Sequence, residues 1–229
     1  MMMMFTPFDI AIIGVSLLIS FWAQGKVKYA YAKYSKVGVR SGITGAQIAR
    51  RMMAEEGISD VDIELTPGVM TDHYDPGAKV VRLSEAVYHG NSIASLGIAA
   101  HEIGHVIQHA HGYTPMHIRS AMYPVSRIGS TLAFPLILGG IFISSVPWLL
   151  TVGIYLYAAA VAFTVITLPV EFNASKRALV ALNDGRIMTQ DELHGAKKVL
   201  DAAAMTYVAA ATAAVLELIR LIMIARMRD

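Results

Sequence analysis

The chain has 229 residues, of which 55% are hydrophobic and only 16% charged, with a mean hydropathy of +0.51. That surplus of apolar residues excludes an ordinary soluble domain, which carries about 25% charged residues. The net charge of +2 gives no field suited to nucleic acid, and the absence of cysteine excludes disulfides and thiolate-held metal. The start, Met1 to Phe8, has no Lys or Arg and no small-residue cleavage site follows it. The first apolar run therefore reads as a retained anchor rather than a secretory signal.

Ile10 to Ala23, with Phe5 and Phe8, gives one span of about 18 residues. Trp22 lies at its end, and Lys26, Lys28, Lys33, Lys36 and Arg40 follow it, which places what comes next on the cytoplasmic side. Ala46–Glu56 has helical apolar spacing at Ile48, Ala49, Met52 and Met53 and is closed by Gly57 at C′. Val61, Ile63 and Leu65 alternate with acids, as in a half-buried strand. Val69–Thr71 reads as a second strand and Ala78–Leu83 as a third, with turns at Pro67-Gly68 and Asp75-Pro76-Gly77. Ser84 is placed to cap a short helix to Tyr88, and Asn91 or Ser92 to cap a long one ending near Ala110.

Thr131 to Val170 contains no charged residue and is long enough for a transmembrane hairpin, turning near Ser144–Trp148. Glu171–Asp201 is polar, with a turn at Asn183-Asp184-Gly185, and Ala202–Ala225 is apolar again apart from Glu217 and Arg220. The expected organisation is an anchor (1–24), a globular domain with a small sheet (25–130), a transmembrane hairpin (131–170), a polar helical segment (171–202) and a last hydrophobic helix (203–229). The fold class is a mostly α membrane protein: transmembrane helices plus an α+β domain with a small β-sheet. Basic Lys176, Arg177, Lys197 and Lys198 put the segment 171–202 in the cytoplasm too. Four full crossings would carry Arg226 and Arg228 outside, so the last helix is expected to stop short of one. Glu217 and Arg220, three apart on that helix, are expected to pair, so that replacing both with apolar residues rescues the loss of either.

His101-Glu102-Ile103-Gly104-His105 is an H-E-x-x-H motif. Four residues on a helix rotate by about 40°, so both imidazoles reach one zinc ion. Glu102 lies beside the metal as general base for a water whose pKa zinc lowers toward 7. A catalytic zinc needs a third protein ligand. His111 has the spacing of one protease class, but that class needs a glycine where this chain has Gln108; His109 reads as a neighbour. Asp184 faintly resembles the Asp-Gly element of intramembrane proteases, though charged residues flank it. Glu171, at the edge of an apolar span, is the best placed of the three. Donors for the tetrahedral intermediate could come from His73, Tyr74, His194 or Tyr207, and spacing does not choose among them.

Several segments carry a resemblance. Thr71-Asp72-His73-Tyr74-Asp75-Pro76, Val81-Arg82-Leu83-Ser84-Glu85, Ala99-Ala100 with the H-E-x-x-H motif, and Pro169-Val170-Glu171-Phe172-Asn173-Ala174-Ser175 resemble the YugP-type bacterial neutral zinc metallopeptidases. So does Gly195-Ala196-Lys197-Lys198-Val199-Leu200 with Thr206-Tyr207-Val208. The resemblance implies a multi-pass protein of the bacterial plasma membrane, with Zn2+ as cofactor, Glu171 as third ligand, and protein or peptide substrates. The arrangement is also similar to HtpX-type and CAAX-processing gluzincins, which carry an acidic residue four positions after the ligand Glu. Here that position is Ser175, which can orient a His by a hydrogen bond, with Asn173 as a possible substitute. In such folds a strand before the zinc helix lines the cleft, and Ala78–Leu83 would either offer its edge to an extended peptide or serve as an ordinary internal strand. The other class of function is an inactive scaffold in a membrane complex; an intact Glu102 favours the enzyme.

Overall fold

A computed structural model of the chain describes residues 6–143 and 145–226; Phe5, Ser144 and Arg228 of the expectations above lie outside them. In chain order the elements are α1 (Pro7–Tyr34), α2 (Gly45–Glu55), β1 (Asp62–Thr66), β2 (His73–Asp75), β3 (Val80–Ser84), α3 (Glu85–Tyr88), α4 (Ile93–Ala110), α5 (Thr114–Phe142), α6 (Trp148–Asp184) and α7 (Gln190–Arg226). Among the described residues α1, α5, α6 and α7 are long and apolar enough to cross a membrane. This is the mostly α membrane protein with a small sheet that composition and residue patterning together implied.

The chain divides into two compact units. The first comprises residues 1–24, 118–168 and 206–229. Its packed centre joins Ala133 and Ile137 of α5 to Leu150 of α6 and Leu221 of α7. At the start of α1, Thr6 and Asp9 cap each other reciprocally: the Thr6 backbone N–H donates to Asp9 Oδ2 at 2.8 Å, and the Asp9 N–H donates to Thr6 Oγ1 at 3.2 Å.

The second unit comprises residues 25–117 and 169–205. Its core packs Ile48 and Met52 of α2, Val81 and Leu83 of β3, Leu96, Ala100 and Ile103 of α4, and Leu182 of α6. Each of these side chains larger than Ala100 contributes roughly 1.5–3 kcal/mol by leaving water. Helix α2 starts where Thr44 and Gln47 form a capping box and stops at Gly57, whose φ of +68° suits a residue without Cβ. Ser92 caps α4 by accepting from the Ser95 N–H at 3.1 Å.

The sheet has the order β1-β3-β2, with β1 parallel and β2 antiparallel to β3. Three expectations shift here. The second strand is not Val69–Thr71 but His73–Asp75, because Met70 takes a left-handed φ of 58° and the Thr71 hydroxyl folds back on the Pro67 carbonyl. The third strand begins at Val80, after Lys79 at φ 52°. It is also the central strand: β1 and β2 cover its two edges, and the Ser84 N–H donates to Asp72 Oδ1 at 2.7 Å. It therefore has no free edge for a peptide. Ser84 precedes α3 but makes no side-chain cap, since its hydroxyl donates to Asp72 instead.

The hairpin turn falls between Phe142 and Trp148, where it was expected. Glu171 does not open a new helix. Pro169 is accommodated inside α6, which runs on through Asp184, so Glu171 lies in mid-helix. The chain then turns through Gly185 and Arg186, the latter at φ 52°.

Candidate metal centre

Two helices of the second unit, α4 and α6, build the centre. Their backbones meet at Gly104: a Cβ placed there would lie 2.6 Å from the Ala174 carbonyl oxygen and 3.1 Å from Ala174 Cα. Only glycine permits that approach, and it lies one residue before His105 and three after His101. The near-contact draws the 171–175 face of α6 onto the 101–105 face of α4.

His101 and His105 stand one turn apart with ring centroids 4.8 Å apart and planes at 83°. Glu171, 2% exposed, enters from α6. Its Oε2 is 3.2 Å from His101 Nε2 and 3.6 Å from His105 Nε2. The three donor atoms lie within 4.8 Å of one another, the one such cluster among the described residues. A tetrahedral zinc with bonds near 2.0–2.1 Å needs donor atoms about 3.3 Å apart. Both distances to the carboxylate fall near that edge, and two imidazoles with a carboxylate are a donor set that zinc accepts. The residues fit the ion.

The outer nitrogens of both rings are engaged. His101 Nδ1 meets the Ser175 hydroxyl at 3.1 Å, so the Ser that replaces an acid in the related pattern does contact a His. His105 Nδ1 lies 3.0 Å from Gln108 Oε1. Asn173 reaches neither ring; its Oδ1 accepts from Gln108 Nε2 at 3.0 Å and from Arg177 Nε at 2.9 Å. Gln108 itself is 0% exposed. Sequence reasoning passed over it as the residue that fails to break a helix. The available signal was its position three after His105 and seven after His101, on their face of α4.

Glu102 is buried beside this cluster, and its carboxyl group makes no hydrogen bond among the described residues. Burial pushes its carboxyl up to about 7; His101 opposes this, while the Glu171 and Asp72 carboxylates reinforce it. Asp72 stood in the sequence within the Thr71–Pro76 segment, with no role given to it. Its carboxylate accepts from the Ser84 backbone and hydroxyl, and burial raises its pKa.

The other candidates stand elsewhere. His111 Nε2 pairs with Glu56 Oε2 at 3.3 Å at the end of α4. His109 Nδ1 is 2.8 Å from the Tyr74 hydroxyl. Asp184, exposed at the end of α6, accepts from Asn183 Nδ2 at 3.0 Å. None of these belongs to the cluster. His194 is exposed on α7, and Tyr207 lies on the part of α7 in the first unit. His73, on β2, is exposed, and its Nδ1 lies 2.8 Å from the Thr71 carbonyl oxygen.

A donor set that fits zinc, together with four helices apolar enough to cross a membrane among the described residues, points to a zinc-binding membrane protein. The family model described as "Putative neutral zinc metallopeptidase" matches residues 9–226, and the chain belongs to that family. It is 48% identical over 223 residues to the "Putative membrane protease YugP" of Bacillus subtilis (strain 168), covering 97% of this chain and 96% of that protein. No solved structure matches. The cofactor of the family is zinc.

Proposed function

We propose that the protein is a membrane-embedded zinc metalloendopeptidase that hydrolyses peptide bonds of membrane or membrane-proximal proteins. The observation that carries this reading is the convergence of His101, His105 and Glu171 donor atoms beside a buried Glu102. His101 and His105 would hold the ion through Nε2 and Glu171 through its carboxylate. Zinc held there would supply Lewis acidity to water and to a peptide carbonyl. Glu102 takes a proton from the attacking water and returns it to the leaving amine. A carboxylate that accepts no hydrogen bond among the described residues is suited to that task, because its oxygens stay open to water. Burial of His105, Glu102 and Glu171 keeps bulk water from screening these charges. An inactive scaffold would have no need of this base.

The purified protein in detergent should cleave an unfolded protein substrate, lose activity to a chelator and regain it with zinc. His101→Ala, His105→Ala and Glu171→Ala should each lower bound zinc sharply. Stoichiometric zinc in Glu171→Ala would remove it from the ligand set. The site faces the cytoplasm of a bacterial cell in this reading, supported by Lys26, Lys28, Lys33 and Lys36 after the first apolar run. The chain has no cysteine, so single introduced cysteines report position cleanly. A membrane-impermeant thiol reagent should miss position 36 and label position 147 in intact cells; labelling at 36 would invert the orientation.

A further inference from the structure

We propose that Gln108 is a positioning residue that fixes the ring of His105 and fastens it to the helix bearing Glu171. The inference rests on the reading of His105 and Glu171 as zinc ligands.

Hydrogen positions follow from a chain of partners whose roles chemistry leaves no choice about. Arg177 is a donor only, so the Asn173 atom 2.9 Å from its Nε is the amide oxygen. That oxygen and the Val170 carbonyl, 2.8 Å away, are both acceptors facing one end of Gln108, so that end is the amide nitrogen. The other end, Oε1, is then the acceptor that faces His105 Nδ1 at 3.0 Å. His105 must carry its proton on Nδ1, which leaves the Nε2 lone pair turned toward Glu171 Oε2. Ser175 imposes no such choice on His101, because a hydroxyl can donate or accept.

The same amide ties the two helices. Its oxygen holds the zinc helix through His105, and its nitrogen holds the backbone of Val170, the residue directly before Glu171. A single buried side chain therefore sets one ring and limits how far the carboxylate's helix can drift from it. Gln108 is fully buried, and each polar atom of its amide is satisfied by these bonds. A leucine of similar size would fill the space and make none of them. Asn173 acts one step further out: its oxygen selects which way the Gln108 amide points.

The test measures zinc affinity of the full-length protein in detergent by competition with a fluorescent chelator, with the visible spectrum of the cobalt-loaded protein as a second readout. Gln108→Leu should bind zinc about 10- to 100-fold more weakly and alter the cobalt spectrum. Asn173→Leu should weaken zinc at least threefold, whereas Asn173→Asp, which keeps an acceptor for both Gln108 and Arg177, should bind as wild type does. His105→Ala is the reference. If it leaves affinity unchanged, the ligand reading itself falls. If it abolishes binding while Gln108→Leu and Asn173→Leu match wild type in affinity and spectrum, Gln108 has no positioning role. Should Gln108→Leu fail to fold, the Asn173 pair decides: equal affinities for its Leu and Asp variants overturn the proposal.

Discussion

Gly104→Ala is the smallest change that should separate the two halves of the metal centre. The new Cβ would start 2.6 Å from the Ala174 oxygen and 3.1 Å from its carbonyl carbon and Cα. All three are backbone atoms, so no rotamer relieves the clash. Restoring an ordinary contact of about 3.4 Å or more requires α6 to retreat by roughly 1 Å, an overpacking that costs about 1–3 kcal/mol. Glu171 and Ser175 flank Ala174 on the same helix and must move with it. Zinc sites tolerate only about 0.2 Å in ligand distance, so the carboxylate can follow only by leaving its rotamer. Zinc affinity should fall tenfold or more, read by chelator competition, with thermal stability of the zinc-free protein lowered as well. Gly97 provides the control: it is seven residues earlier on the same helix, and its Cβ would meet Ala196 Cβ at an ordinary 3.5 Å. Gly97→Ala should leave zinc binding intact and gain about 0.5–1 kcal/mol from helix propensity. If Gly104→Ala bound zinc within threefold of wild type at unchanged stability, the close helix contact would not be what positions Glu171.

Two further outcomes follow from the buried charges. The ion pair expected between Glu217 and Arg220 is present, with Arg220 Nε donating to Glu217 Oε2 at 2.8 Å, but Arg220 Nη1 also lies 3.7 Å from Asp9 Oδ1, and Asp9 is 4% exposed. Arg220→Met should cost about 3–5 kcal/mol by stranding two carboxylates. The Glu217→Leu/Arg220→Met double variant should not be rescued, while adding Asp9→Asn, which keeps the cap on Thr6 without the charge, should restore stability in detergent unfolding. Full rescue by the double variant would show that Asp9 carries no share. For pH, the Glu102 carboxyl of the zinc-free protein sits at about 7, above its ordinary value of 4.5. A neighbouring divalent cation favours the carboxylate, so zinc binding expels this proton below pH 7 and affinity rises with pH up to there. Glu102→Gln should remove up to about one logarithmic unit of affinity change per pH unit from that rise; superimposable slopes in the two proteins would show that Glu102 is ionised before zinc arrives.

The motif helix was legible because its signals are local: the His101–His105 spacing, the Ser92 cap and an apolar surround all lie within one short segment. The apolar runs and the hairpin turn were legible for the same reason. What the sequence concealed depends on contacts between segments. Gln108 reads as a polar residue near a helix end until α6 presents Val170 and Asn173 to it. Asp9 lies more than two hundred positions from Arg220, and no periodicity links them. The misplaced second strand has a different cause. Val69 and Met70 have the right residue types, but backbone geometry at Met70 overrides propensity.

The most direct test of the central claim is the peptidase rate of Glu102→Gln measured on protein whose zinc content is determined in the same sample. With His101, His105 and Glu171 intact, the variant should hold one zinc per chain and hydrolyse an unfolded protein about 10²–10⁴-fold more slowly than wild type, the range expected for losing a positioned general base. A fully zinc-loaded Glu102→Gln protein that cleaves at the wild-type rate would contradict the account.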